Sequence, residues 1–137
     1  MRLALARRES GDESGAQAAA QIVRQELAAR RMAGEVSFEQ DLTEAMLAAF
    51  EHDAERAITA LESAIHRGLR FSLHVDEPVF DDLRDEPRFV ALRQELDVLI
   101  AAEHDKVLQL ICFNNPVPED WQPMVETCEG VVEQSGP

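Results

Sequence analysis

The sequence predicts an all-α protein: antiparallel helical hairpins followed by a long C-terminal helix. Along most of the 137 residues the apolar positions recur at spacings of three and four, the period of one helix face. Apolar residues make up 45%, mostly Ala and Leu, while aromatics are 5% and Tyr is absent, a balance that suits helix-on-helix packing and lacks what sheets need. Gly, Asp and Ser fall between the apolar stretches, where helices end and begin.

Each element follows from local signals. Residues 2–9 read as a helix with Leu3, Ala4 and Ala6/Arg7 on its inner side, stopped by Ser10-Gly11. Asp12 is placed to cap a second helix, about 13–32, whose inner stripe is Ala16, Ala20, Val23 and Leu27. These small residues allow a neighbouring helix to approach closely. Gly34 ends it, and Ser37 with Gln40 fits a capping box opening a third helix over about 38–52, with Phe38, Leu42, Ala45 and Ala49 inward and Met46 and Phe50 broadening the stripe. Asp53 caps a fourth, about 54–67, with Ala57, Ile58, Leu61, Ala64 and Ile65 inward, closed by Gly68. Short connections make consecutive helices antiparallel. Residues 69–75 fit either a single helical turn or an extended linker.

A doubled phrase follows: Glu77-Pro78-Val79-Phe80-x-x-Leu83-Arg84, then Glu86-Pro87-Arg88-Phe89-x-x-Leu92-Arg93, nine residues on. Proline suits a first helical turn, and a preceding carboxylate suits its positive end. Two helix starts are therefore expected, about 78–84 and from 87. The second continues along Leu96, Leu99/Ile100, Val107, Leu110 and Ile111. Glu103-His104-Asp105 interrupts that stripe, but without Gly or Pro the helix is expected to run on. Asn114-Asn115-Pro116-Val117-Pro118 must break it. The chain thus reads as one helical domain, 1–113, and an acidic, loosely ordered tail, 114–137, folding back through Trp121 and Met124–Val125.

Charge and chemistry narrow the function. A net charge of −14 argues against nucleic acid or an anionic membrane as partner. It is unevenly placed: residues 1–34 are net +2 and the remainder −16. Cys112 and Cys128, with no CxxC spacing, read as reduced thiols of a cytoplasmic protein, Cys112 as a small core residue. No apolar run is long enough to cross a membrane, and the N-terminal stretch is too short and too charged for a signal peptide to be expected there. Glu62 and His66 (i, i+4), His104 between Glu103 and Asp105, and His74 beside Asp76 supply too few convergent ligands for a metal site. Asp81, Asp82, Asp85 and Glu86 read as caps and dipole partners. Nucleophile and phosphate-loop motifs are absent, and Ser10, Ser14 and Ser37 are explained by capping. No enzyme activity, cofactor or metal is expected.

An internal repeat completes the reading. Gly11-Asp12-x-x-x-Ala16 aligns with His52-Asp53-x-x-x-Ala57 at an offset of forty-one, and Ala20 and Val23 then fall on Leu61 and Ala64. This unit resembles the tetratricopeptide repeat family, whose repeat is about 34 residues long. The first-helix aromatics are mostly missing, and His52 stands where Gly is usual. The Ala-rich helix ending at Gly68, followed by the doubled Pro-x-Phe-x-x-Leu phrase, looks like the C-terminal end of a bacterial array. Phe80/Leu83 and Phe89/Leu92 would then cover the last repeat's open face.

The resemblance implies a right-handed solenoid and a non-catalytic, cytoplasmic protein–protein interaction role. It also implies that the first repeat begins before residue 1, as in a piece of a longer protein. Asp41, Glu44 and Glu51 would line an acidic groove suited to a basic peptide, and Leu3 and Leu5, with the long helix's second half, would drive self-association. Two other readings are a regulatory module of a larger bacterial signalling or transcription-regulator protein and a metal-dependent helical-bundle enzyme using Glu62 and His66.

Overall fold

A computed structural model describes residues 1–113 together with Cys128 and Val131. Five α-helices follow in order: α1 Arg2–Glu9, α2 Glu13–Met32, α3 Phe38–Phe50, α4 Ala54–His66 and α5 Pro87–Phe113. Two 3₁₀ segments, Ser72–His74 and Pro78–Leu83, join α4 to α5, and no strand occurs among the described residues. The fold is all-α. Its contacts divide the chain into two compact units, Met1–Leu96 and Asp97–Pro137, with the division inside α5.

The first unit is built on two hairpins with the same joint. At the end of α1, Gly11 (φ +81°) donates its N–H to Arg8 O at 2.9 Å and Asp12 donates to Arg7 O at 2.8 Å. At the end of α3, His52 (φ +59°) donates to Ala49 O at 3.0 Å and Asp53 to Ala48 O at 2.9 Å. Both are the paired closing bonds of a helix that ends on a left-handed residue. Each Asp then turns from closing one helix to opening the next: the Asp12 carboxylate accepts the Gly15 N–H at 2.9 Å, and Asp53 accepts that of Arg56 at 3.2 Å. One residue further, Ala16 and Ala57 are both fully buried. The offset of forty-one between the joints is therefore an equivalence of backbone geometry.

The helix α3 is the hub of this unit, packing on α2, α4 and the Pro78–Leu83 segment. Leu42, Ala45, Ala49 and Phe50 are buried as their spacing predicts. Leu47 and Ala48 lie outside that stripe yet are buried too, because neighbours cover more than one side. The inner face of α4 holds the five residues expected of it, and Ala16, Ala20 and Leu27 of α2 are buried with Val23 half-buried. The doubled phrase converges on one cluster: Phe80, Leu83, Phe89 and Leu92 are buried, and the Phe80 and Phe89 rings lie 5.7 Å apart.

Several expectations are corrected. In α1 the inner side is Ala4, with Met1, Leu5 and Arg8 half-buried, while Leu3, Ala6 and Arg7 face outward. The rotation brings Arg8 onto the end of α3, a contact that the apolar pattern of α1 does not encode. Of the two alternatives for 69–75 the helical turn is found: Ser72–His74 forms one 3₁₀ turn, lying between buried Leu69 and Val75. The first proline-started helix is 3₁₀ rather than α, since Pro87 disfavours α geometry at Glu86 and leaves no room to propagate. The capping box is half made: Ser37 Oγ accepts the Gln40 N–H at 3.4 Å, but Gln40 Nε2 donates to Glu35 at 3.2 Å instead of its side chain reaching back to Ser37. As expected, α5 is unbroken at 103–105, where Glu103 and Lys106 pair at 2.9 Å.

The expected free thiols are also corrected. Cys112 and Cys128 form a disulfide, with Cα atoms 5.8 Å apart. Sequence spacing could not show this, because the approach of residue 128 to the end of α5 is a tertiary fact. With the free thiols goes the argument from them to a reducing compartment. Among the described residues no helix is long and apolar enough to cross a membrane. The expected break at 114–118, the fold-back of Trp121 and Met124–Val125 and the order of the tail lie outside the described residues, apart from Cys128 and Val131.

Candidate interaction groove

The acidic positions expected on α3 come together, but not as an open acidic lining. Glu44 on α3 and Glu51, the residue that caps its C-terminal end, stand about two turns apart, and Arg24 and Arg31 stand two turns apart on α2. The equal spacing lets both pairs meet: Arg31 reaches Glu44 at 3.1 Å, and Arg24 bonds Glu51. Arg56, in the first turn of α4, ties the two rungs together. It pairs with Glu44 at 3.2 Å, with Glu51 through a hydrogen bond, and with Asp53 at 3.5 Å. Asp41 is bound separately by Arg67 Nε at 2.7 Å. Three helices are thus linked by one alternating ladder, Arg31–Glu44–Arg56–Glu51–Arg24.

Electrostatics follow from this packing. Partial burial pushes the Glu51 carboxyl up, but hydrogen bonds from Arg24 and Arg56, with their charges, outweigh it and hold the group below its ordinary value. The hydrogen bond to Glu51 likewise raises Arg56; burial opposes this, and the charges of Glu51, Glu44 and Asp53 add to it. Glu44 and Glu51 have side chains only 15% and 21% exposed, so they act first as intramolecular ligands.

Beside the ladder lies an open groove of about 440 Å³, bordered by Asp41, Glu44 and Arg31 on one side and by α4 on the other. Thr59, Ala60 and Ser63 give the α4 wall a small-residue surface. The groove holds Asp41 and Glu44 of the three expected acids, while Glu51 joins it only through Arg56. The sequence reading missed Arg56, Arg67, Thr59 and Ser63. The matching seven-residue spacings of Arg24/Arg31 and Glu44/Glu51 were a legible signal for the ladder.

The other expected surface is dispersed. Leu3 is 60% exposed, whereas Leu5 is half-buried against its own unit. In the second unit Val107 and Leu110 are exposed, and Leu108, Ile111 and Cys112 are half-buried. Glu62 and His66 do not converge on a shared centre: Arg88 approaches Glu62 at 3.8 Å and Glu95 approaches His66 at 3.7 Å. Among the described residues no three His, Cys, Asp or Glu side chains are grouped to hold a metal ion. No family model, curated protein or solved structure matches the chain.

Proposed function

We propose that this protein is a non-catalytic interaction module of tetratricopeptide-like type, its hairpins stacked in a right-handed sense. The observation that carries the reading is the repeated joint: two hairpins forty-one residues apart share a left-handed closing residue, an Asp that caps the next helix and a buried Ala. Repeated helical hairpins bury one face on the neighbouring repeat and leave another for partners. The groove beside α3 and α4 is the docking site, and a basic helical or extended peptide is its ligand. The groove's four carboxylates, Asp41, Glu44, Asp53 and Glu55, are each paired with an arginine, Arg31 and Arg56 in the groove and Arg67 and Arg88 beside it, so a basic peptide docks by competing for these carboxylates. The strongly acidic body adds long-range attraction for such a peptide.

The test is a titration of the intact protein with short basic, neutral and acidic peptides of matched length. Saturable binding of the basic set is expected, weakening as salt rises. Ser63→Arg or Thr59→Arg, which fill the groove without removing a buried group, should reduce that binding about tenfold. Equal binding of all three sets, or no effect of either substitution, would overturn the reading.

A further inference from the structure

The helix α2 carries a second stripe that the fold leaves uncovered. Ala18, Ile22, Gln25, Ala29 and Met32 follow a 4-3-4-3 spacing, and all five are exposed, Ile22 at 64% and Met32 at 89%. At 100° per residue this stripe is centred half a turn away from Ala16, Ala20, Val23 and Leu27, the face turned toward α1 and α3. Burial within the first unit therefore explains the inner stripe and not the outer one.

We propose that this outer stripe is a homodimer seam, occupied by α2 of a second copy lying antiparallel about a twofold axis at Gln25. The residue order selects that arrangement. In it, Ile22 meets Ala28 and Ala29 of the second copy, Met32 meets Ala18, and Gln25 meets Gln25. Each large side chain opposes a small one, which lets the helices approach closely and fill the seam. A parallel, in-register pair would set Ile22 on Ile22 and Met32 on Met32, leaving gaps at Ala18 and Ala29. The facing Gln25 amides supply both donors and acceptors to one another.

Charge points to the same occupant. Arg24 and Arg31 are drawn to Glu51 and Glu44 on α3, and Arg30 is paired with Glu26 on α2 itself. Neutral Gln21 and Ala28 flank one edge of the stripe, and at the other edge Glu26 is already neutralised by Arg30, so no unpaired charge is desolvated on pairing. Residues 1–34 are net +2 while the rest of the chain is −16. Within the first unit residues 35–96 are net −9, and because α2 turns its inner face to α3, pairing through the outer stripe keeps the acidic α3 of each copy away from that of the other. Residues 18–32 span about 22 Å of helix, a contact smaller than a standard interface, so the dimer is weak and concentration-dependent. This inference is independent of the peptide groove.

Sedimentation of the full chain from about 5 µM to about 500 µM tests it. The weight-average mass should rise from 15.3 kDa toward twice that value. The double variant Ile22→Arg/Met32→Arg alters only exposed side chains and should keep its helical circular dichroism while its dissociation constant rises about tenfold or more. The axis has its own test. Gln25→Glu and Gln25→Lys should each dimerise less well alone, since each places like charges face to face, and an equimolar mixture should recover association. A monomer throughout, a dimer indifferent to Ile22→Arg/Met32→Arg, or a mixture no tighter than its components would overturn the proposal.

Discussion

Arg8 shows how one side chain can join two elements. The last turn of α3 contains no basic residue, so the negative end of that helix has no local counter-charge. Arg8, from α1, supplies it: its Nη1 donates to Phe50 O at 2.8 Å and its guanidinium lies 3.4 Å from the centroid of the Phe50 ring. Arg8→Met keeps much of the packing but removes the donor and the charge, and should destabilise by about 1–3 kcal/mol in urea unfolding. A loss below about 0.5 kcal/mol would mean that the contact contributes little. His52 poses the opposite case. It holds the left-handed position that Gly11 fills in the first joint, at a backbone cost for any residue with a Cβ. Its contact with Asp82, 3.2 Å between two exposed side chains, offsets little of that cost. His52→Gly should therefore stabilise by roughly 0.5–1 kcal/mol, after allowing for glycine's greater freedom in the unfolded chain. An unchanged or lowered unfolding midpoint would show that His52 contributes more than its geometry indicates.

At the scale of elements, the doubled phrase is one packing device made of two unlike helices. Pro78–Leu83 is too short to be stable alone, and it is held because Phe80 and Leu83 are buried where the segment packs on α3. The first turns of α5 bring Phe89 against Phe80 and bury Leu92. Outside this cluster, Arg88 pairs with Glu55 of α4 at 2.7 Å, and Arg93 pairs with Asp76 at 2.7 Å. These exposed pairs set register more than they stabilise. Phe89 carries the larger share, being fully buried, and Phe89→Ala should destabilise the first unit by roughly 3–5 kcal/mol. A change within experimental error would exclude this cluster as the closure of the hairpin stack. Burial of the four Phe and Leu positions was legible in the repeated spacing. The 3₁₀ form of the first copy was not, because the proline of the second copy sets it.

For the whole molecule, stability should depend on acid through the ladder across α2, α3 and α4. The folded-state pKa of Glu51 is depressed, so its contribution is complete above the ordinary carboxylate range and is lost as pH falls through the lowered value. Urea midpoints should thus decline as pH drops below about 4.5, and Glu51→Gln should flatten part of that decline. An unaltered pH profile in Glu51→Gln would show that the rungs contribute no net stability in the folded chain. The same ladder explains why the candidate groove was read only in part. Acidic residues on one helix face look like an open lining when α3 is considered alone. Only the placement of α2 and α4 shows that arginines already occupy all three, Asp41, Glu44 and Glu51.

The sequence alone determined the all-α class, the helices and most of their limits, the inner faces of α2 and α4, and the equivalence of the two joints. Those features rest on contacts within three or four residues, where helical period and capping chemistry act. Tertiary structure decided the rotation of α1, the burial of Leu47 and Ala48, the arginine ladder, and the pairing of Cys112 with Cys128. Each depends on groups far apart in the chain meeting, and no local period encodes which distant side chain will be the neighbour.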